Sequence, residues 1–349
     1  MRTTSLPEKT PSGMGPVDGE AFVTIRGMEV QFRGPKGTVH AVDGIDLDIR
    51  KGSVLALVGE SGSGKSTIAK ALVGLVARSG GTVSVGGVEQ APERRNRPRQ
   101  SRAALQMVFQ NPVSSLNPYQ KVATIVAEPL RVAKVPADSR VKRVRELLGA
   151  VGLDVDSILD KRPGEISGGQ AQRVSIARAL AAAPELLIAD ESVSALDVSV
   201  QATVLNVLRR LSVEGGLSML FISHDLGVVR TVSDDIAVLH LGQLCEVGPS
   251  EAVLAAPAHP YTAALRAAVP EPGIPLGEAK HTDAEPPSPL SPPSGCSFRE
   301  RCLYATAVCA ELRPALTELG GGRRVACHHP LIPAAHDTAH EAHAKENSA

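Results

Sequence analysis

The stretch VLALVGESGSGKS at residues 54–66 decides the predicted fold. An apolar run typical of a buried strand enters a glycine-rich turn, and a helical pattern begins near Lys65. The spacing Gly59-x-x-x-x-Gly64-Lys65-Ser66 is a phosphate-loop motif in the strand–loop–helix setting that the motif requires. Such a loop surrounds phosphate oxygens with backbone N–H groups, while Lys65 reaches the β- and γ-phosphates and Ser66 offers a hydroxyl to Mg²⁺.

Apolar strand patterns and helical patterns alternate along the rest of the chain. Strands are predicted at residues 54–58, 186–189, 219–223 and 236–241, and helices at about 65–75, 122–152, 167–183 and 200–211. Residues 22–49 have a strand-like pattern that is broken by a Gly/Pro/Lys turn. This alternation predicts an α/β protein with a mostly parallel sheet.

Two carboxylates end the predicted strand ELLIADE at residues 185–191. Asp190 at the strand tip suits Mg²⁺, and Glu191 is positioned to polarise an attacking water as a general base. His224 follows another apolar strand, so we expect it at the same sheet edge, in contact with the γ-phosphate. Gln110, taken alone, would be a loop residue without a role.

A second glycine-rich segment, Ser167-Gly168-Gly169-Gln170, begins a predicted helix. Free backbone N–H groups at such a start could bind an anion. A plain helix N-cap is the alternative, and it would account for Ser167 but not for both glycines.

Composition excludes several classes of protein. The 349 residues carry 37 basic and 37 acidic side chains, and aromatic residues make up 2%. Bulk electrostatic binding of nucleic acid and base stacking are therefore not expected. Five arginines between Arg94 and Arg102 are predicted to form a solvated surface rather than an anion patch.

No apolar run approaches the length of a membrane span, and the N-terminal residues have no apolar signal region, so we expect a cytoplasmic chain.

Together these motifs resemble the ATP-binding cassette (ABC) ATPases. The resemblance implies a RecA-like core sheet with an antiparallel β subdomain and an α-helical signature subdomain, and it adds a D-loop at residues 194–197. It implies catalytic roles for Glu191, His224, Lys65 and Gln110, and Mg²⁺ binding by Ser66, Gln110 and Asp190. The implied ATP-binding residues are Phe32, Gly59, Ser61, Gly62, Gly64, Lys65, Ser66, Thr67, Gln110, Ser167, Gly168, Gly169, Gln170 and Asp197.

Further segments resemble the ATPase subunits of oligopeptide/dipeptide importers. They are VFQNPVSSLNP at 108–118, AEPL at 127–130, DESVSALDVS at 190–199, HPYTAAL at 259–265, SGCSFRERC at 294–302 and VACH at 325–328. The resemblance implies an ATPase at the cytoplasmic face of the membrane that powers peptide import. Its implied partners are a second ATPase subunit, two transmembrane permease subunits and an extracytoplasmic substrate-binding protein, with no nucleic acid.

Two alternatives to peptide import stay open at this stage. One is a related importer for nickel, glutathione or another small solute, because the ATPase does not touch the cargo. The other, less favoured, is a soluble ABC ATPase without a transport role. The second ATPase subunit could be a paralogue or another copy of this chain, and Ser192-Val193, in place of the common Pro-Thr, favours a paralogue.

The sequence divides into a disordered N-terminus (1–20), an ABC ATPase domain (21–265), a C-terminal module with a proline-rich linker (266–332) and a disordered tail (333–349). The module holds four cysteines spaced C-x5-C-x6-C-x17-C. Four thiolates suit an iron–sulfur cluster or a structural zinc, and reduced thiols are the third alternative. Some importer ATPases of the resembled family carry a [4Fe–4S] cluster on a similar set, which here is Cys296, Cys302, Cys309 and Cys327.

Overall fold

The structure is a computed structural model, which describes residues 21–35, 37–191, 198–269 and 287–332. The strands are β1 (Ala21–Gly34), β2 (Gly37–Arg50), β3 (Val54–Val58), β4 (Gly80–Val85), β5 (Val88–Glu89), β6 (Leu105–Val108), β7 (Leu186–Asp190), β8 (Ser218–Ile222), β9 (Asp235–His240), β10 (Gln243–Pro249), β11 (Thr317–Gly320) and β12 (Arg323–Val325). The helices are α1 (Lys65–Leu72), α2 (Arg99–Ala104), α3 (Pro112–Ser115), α4 (Val122–Val132), α5 (Ala137–Ala150), α6 (Val155–Ile158), α7 (Gly168–Leu180), α8 (Val198–Val213), α9 (Leu226–Val232), α10 (Ser250–Ala255), α11 (Pro260–Ala267) and α12 (Ala307–Glu311). Predicted segments 1–20 and 333–349 and the D-loop residue Asp197 lie outside the described residues.

The main sheet has the strand order β11-β12-β10-β9-β3-β8-β7-β6. Strands β9, β3, β8, β7 and β6 run parallel to one another, and β10 pairs with β9 in antiparallel register. Every residue of β3, β7 and β8 is buried, because apolar layers cover both faces of the sheet. The carboxyl ends of these three adjacent strands therefore meet at one edge, as the sequence predicted for the phosphate loop, Asp190 and His224.

A second, antiparallel sheet of order β2-β1-β4-β5 lies over α1. Its apolar face, the helix residues Ile68 and Leu72, and the main-sheet residues Leu57 and Ile188 belong to one hydrophobic cluster. Helix α1 is thus held between two sheets, which fixes the position of its first residue, Lys65.

The predicted helical pattern over residues 122–152 is divided into α4 and α5. Lys134 adopts a left-handed φ of 60°, which ends the first helix. Pro136 also disfavours helical geometry in the residue before it. Helices α4 and α5 both pack on α7, so the helix that begins after Ser167 is fixed within a helical group.

Arg97 corrects the prediction of a wholly solvated arginine run. Its side chain is buried, and its guanidinium donates hydrogen bonds to the carbonyls of Ala71 (3.1 Å) and Leu72 at the end of α1. Burial lowers the pKa of Arg97 to about 10. A cation at this end satisfies carbonyls that lack partners within the helix.

The C-terminal residues extend the main sheet. Strand β12 pairs with β10 in antiparallel register, with Glu246 opposite Val325, and β11 pairs with β12. Phe298 is fully buried, and its ring centroid lies 5.2 Å from that of Tyr261 and 5.5 Å from that of His240. Packing against the cassette therefore stabilises this cysteine-containing segment. Within the described ranges, no helix is both long and apolar enough to cross a membrane.

Candidate functional site

The loop between β3 and α1 requires glycine at two positions. Gly59 has a φ of 150°, and a Cβ there would lie 2.1 Å from the Leu239 carbonyl oxygen. Gly64 has a φ of 108°, and a Cβ would lie 2.3 Å from the Ala41 carbonyl oxygen. Larger residues would displace the loop from its neighbours, so the predicted phosphate loop depends on both glycines.

Lys65 is buried at the start of α1, with its ammonium group turned back onto the loop. Its Nζ donates hydrogen bonds to the carbonyls of Gly59 (2.7 Å) and Glu60 (2.8 Å) and to Ser63 Oγ (3.3 Å). Burial lowers the pKa of Lys65, and the nearby carboxylates, Glu191 first among them, act in the opposite direction. A buried cation at a helix N-terminus is suited to bind phosphate oxygens.

Ser66 and Asp190 form the corner predicted to hold Mg²⁺. The Ser66 hydroxyl donates a 2.9 Å hydrogen bond to Asp190 Oδ1, and the Asp190 carboxylate is buried. Burial raises the pKa of Asp190, while the hydrogen bond from Ser66 lowers it. A hydroxyl and a carboxylate side by side are hard oxygen donors, and Mg²⁺ commonly completes such a pair with water and phosphate oxygens. The donor set fits the ion.

Glu191, Gln110 and His224 converge from the loops that follow β7, β6 and β8. Gln110 Nε2 donates a 2.5 Å hydrogen bond to Glu191 Oε2, and His224 Nδ1 lies 3.5 Å from Glu191 Oε1. Glu191 has a left-handed φ of 44°, and its N–H donates to the carbonyl of Ile222 in β8. A strained, non-glycine conformation that is held by its neighbours is typical of functional positions.

A cavity of about 580 Å³ opens beside these residues. Its lining includes the predicted residues Ser61, Gly62, Gly64, Lys65, Ser66, Thr67, Gln110 and Glu191. The described lining does not include Phe32, whose side chain is exposed and which pairs with Val39, a lining residue, across the β1–β2 hairpin. Adenine stacking by Phe32 therefore stays a prediction.

Residues 167–170 lie outside this cavity lining. Ser167 Oγ accepts a hydrogen bond from the Gln170 N–H (3.2 Å), and Gln170 Oε1 accepts one from the Ser167 N–H (2.9 Å), which together form a capping box. A Cβ on Gly169 would lie 2.1 Å from Val200 Cγ1 of α8. Close helix packing therefore explains one of the two glycines that the N-cap alternative left unexplained.

The four cysteines do not support the expected iron–sulfur or zinc centre. Burial is the main cause that raises the pKa of Cys296, Cys302 and Cys327, the last to about 11, and the neighbouring cysteines act in the same direction. Among residues that the structure describes, no three Cys, His, Asp or Glu side chains form a group that could hold a metal ion. The fifth cysteine, Cys245, is a buried core residue.

The sequence analysis missed the contacts behind the phosphate loop. The Glu60 N–H donates a 2.8 Å hydrogen bond to the hydroxyl of Tyr261, which is fully buried. Arg301 forms an ion pair with the Glu60 carboxylate. Both partners stand in segments that the importer resemblance covered, but no local pattern connects positions more than 200 residues apart.

Comparison with known families gives two matches along the chain. The model of the family described as ABC transporter matches residues 42–194. The model of the oligopeptide/dipeptide transporter C-terminal region matches residues 245–309. The two matches follow each other in the order that the sequence resemblance predicted.

Curated relatives match over most of their length. The oligopeptide transport ATP-binding protein OppF of Salmonella typhimurium is 46% identical over 290 residues, which are 82% of this chain and 86% of that protein. The putative oligopeptide transport ATP-binding protein YkfD of Bacillus subtilis is 45% identical over 300 residues, 84% of this chain and 91% of that protein.

Solved structures share the cassette fold. The ATP-binding cassette MJ0796 bound to ADP and Pi has a TM-score of 0.59 and 26% identity, over 65% of this chain and 98% of that one. The structure of cbiO1 from Clostridium perfringens has a TM-score of 0.60 and 28% identity, over 67% of this chain and 91% of that one. The predicted ABC cassette fold is thereby confirmed. The chain is an ATPase and belongs to the ATP-binding subunits of the oligopeptide/dipeptide ABC transporter family.

Proposed function

We propose that this chain hydrolyses ATP to power the import of peptides through a membrane permease. The main support for this ATPase site is that Gln110 and His224 both contact Glu191, next to the hydrogen-bonded pair of Ser66 and Asp190. The names of the relatives, which are oligopeptide transport proteins, support peptides as the cargo.

In the proposed mechanism Lys65 and the N–H groups at the start of α1 bind the phosphates. Ser66, Asp190 and Gln110 would hold Mg²⁺, which would supply positive charge to neutralise the phosphates. Glu191 accepts a proton from the attacking water at its carboxylate, a role worth about 10²–10⁴-fold in rate. His224 holds the γ-phosphate, and the 3.5 Å contact between His224 Nδ1 and Glu191 supports this place for its ring.

A second ATPase subunit completes the site. Residues 167–170 stand outside the cavity around Lys65, which supports a head-to-tail dimer in which they face the ATP held by a partner chain. The capping box keeps the Ser167 side chain at the helix start, where it can reach a γ-phosphate. The partner is a paralogue or a second copy of this chain.

A groove of about 970 Å³ beside α4 is the proposed docking surface for a cytoplasmic segment of the permease. Phe109 lines it next to Gln110, so a docked segment would adjoin the catalytic edge. Leu75 and Val132 expose apolar area there, and cations outnumber the one acidic lining residue, Glu128. An acidic, amphipathic segment would complement the cations Arg94, Arg99, Arg102, Lys134 and Arg178.

This docking would bring the chain to the cytoplasmic face of the membrane as a peripheral subunit. An extracytoplasmic substrate-binding protein would deliver the peptide to the permease. Nickel, glutathione or another small solute is the alternative cargo, because none of the residues in the ATP site would contact what is transported.

Peptide uptake in the native host tests the proposal. Glu191→Gln keeps the side-chain shape and removes the base, so uptake of labelled di- and oligopeptides should fall at least 100-fold. Glu185→Gln changes a carboxylate just before the opposite end of β7 and should leave uptake unchanged. Normal peptide uptake with Glu191→Gln, in a host without a redundant system, would refute peptide import and favour a small solute.

The cysteine segment can be tested independently of transport. The test is iron and zinc analysis of the chain purified without oxygen. About four iron atoms per chain would support the predicted iron–sulfur cluster, and one zinc ion per chain would support a zinc site. A metal-free chain would agree with the absence of a metal-binding group among the described residues.

A further inference from the structure

The C-terminal segment, which is residues 287–332 here, lines part of the nucleotide cavity. The lining combines phosphate-loop residues and Glu191 with a set from the C-terminal segment: Pro289, Pro292, Pro293, Gly295, Ser297 and Arg313. Leu290 of the same segment reaches the β1–β2 turn, where a Cβ on Gly37 would lie 4.0 Å from its Cδ2 atom. A segment far along the chain thus borders the space that ATP would occupy.

Arg301 connects this segment directly to the phosphate loop. Its Nη1 and Nη2 donate hydrogen bonds to Glu60 Oε2 (2.7 Å) and Oε1 (2.8 Å). The Arg301 side chain is 9% exposed, and its guanidinium carbon lies 5.6 Å from the centre of the Phe298 ring. A two-point pair of this kind fixes direction as well as distance, and the ring beneath it restricts the arginine further.

Glu60 is held at each of its polar groups. Arg301 binds the side chain, the Tyr261 hydroxyl accepts the N–H, and the carbonyl accepts a hydrogen bond from Lys65 Nζ. Lys65 is the residue that reaches the phosphates. The conformation of Glu60 therefore links the C-terminal segment to the position of that ammonium group.

We propose that Arg301 is a positioning residue of the ATP site, which holds the phosphate loop through Glu60 in the conformation that binds nucleotide. Without the pair the loop occupies that conformation only part of the time, and the apparent Kd rises in inverse proportion to the occupied fraction. For Arg301→Ala we expect the Kd for ATP to rise about tenfold, equivalent to ~1.4 kcal/mol. The rate at saturating ATP should change less than twofold, because Glu191 and His224 keep their contacts.

Titration of the full-length chain with N-methylanthraniloyl-ATP and Mg²⁺ tests the proposal. Arg299→Ala is the matched control, since Arg299 lies in the same 3-10 turn but donates to the Ser294 carbonyl (2.8 Å) within the C-terminal segment. Arg301→Lys keeps the charge and loses the two-point geometry, so its Kd should lie between those of the wild type and Arg301→Ala. Equal affinities for the wild type and Arg301→Ala, or an equal loss with Arg299→Ala, would overturn the proposal.

A double-mutant cycle identifies the route. If Arg301 acts through Glu60, combining Glu60→Gln with Arg301→Ala should weaken binding no more than Arg301→Ala alone. Independent, additive losses would contradict that route. Thermal unfolding of Arg301→Ala without nucleotide distinguishes a positioning role from a merely structural one. A lowered unfolding temperature with unchanged nucleotide affinity would refute the proposal. Arg301→Lys serves for the same comparison if the alanine variant does not fold.

Discussion

Glu246→Gln should destabilise the attachment of the C-terminal strands. Glu246 is fully buried in β10. Its carboxylate accepts hydrogen bonds from the N–H groups of Ala258 (3.0 and 3.1 Å) and His259 (3.0 Å) and from Arg323 Nη2 in β12 (2.7 Å). One side chain therefore joins β10, the loop before α11 and β12.

The magnitude follows from what the substitution leaves behind. Glutamine keeps one carbonyl oxygen, but its NH₂ group must face donors, and the buried Arg323 guanidinium loses its counter-charge. Breaking one side of a buried pair is worth about 3–5 kcal/mol. Arg323 Nη2 retains a 2.6 Å hydrogen bond to the Ala256 carbonyl, so we expect the lower end, about 3 kcal/mol in the free energy of unfolding.

Urea unfolding of the full chain measures the change. Arg324→Ala is the matched control, because Arg324 lies in β12 next to Arg323, the charged partner of Glu246. Its ion pair with Glu318 is 3.9 Å long and exposed, with Glu318 at 70%, so its loss should alter the free energy of unfolding by about 0.5 kcal/mol or less. Equal effects of Glu246→Gln and Arg324→Ala would refute the reasoning.

Two further substitutions test Asp190 at the catalytic edge and Ser167 at the start of α7. Burial raises the pKa of Asp190, so its ionised form is less favourable in the folded chain than in the unfolded one. Asp190→Asn should therefore raise the unfolding temperature measured without nucleotide, by about 2 °C for each kcal/mol of stability gained. The stability gained by Asp190→Asn should shrink as the pH falls through the raised pKa of Asp190. In this variant, stabilisation by ATP with Mg²⁺ should disappear. A lowered unfolding temperature at neutral pH would contradict the argument. Ser167→Ala removes the cap on α7, which should lower stability by about 1 kcal/mol and reduce the ATPase rate of the assembled transporter, while binding of N-methylanthraniloyl-ATP by the isolated chain stays unchanged. Weakened binding by the isolated chain would place Ser167 in the chain's own site instead.

Local patterns in the sequence predicted the parts of the site that are built from neighbouring residues. Gly59, Lys65 and Ser66 follow a buried strand within a few positions, so the strand–loop–helix unit could be predicted directly from the sequence. Asp190 and His224 follow apolar strands, and parallel strands bring their carboxyl ends to one edge. Gln110 had no local signal and entered only through the family resemblance.

The environment of two other local features depends on segments that are distant in the sequence. The arginine run looked solvated, yet Arg97 is buried because the end of α1 needs donors for its carbonyls. Four cysteines in a segment with few large apolar side chains suggested a metal, which the described residues do not support, and the structure adds that Phe298 of this segment is buried among rings of the cassette. Each case depends on a partner far away in the sequence.

The sequence by itself determined the nucleotide motifs and the α/β class of this ATPase, because hydrophobic period and glycine spacing act over a few residues. Only the tertiary structure decided that the C-terminal segment reaches the ATP site. Glu60 and Arg301 are 241 positions apart, and their ion pair exists because sheet pairing of β12 with β10 and burial of Phe298 bring the segment back to the phosphate loop. Such a contact depends on the path of the whole chain, which no local pattern encodes.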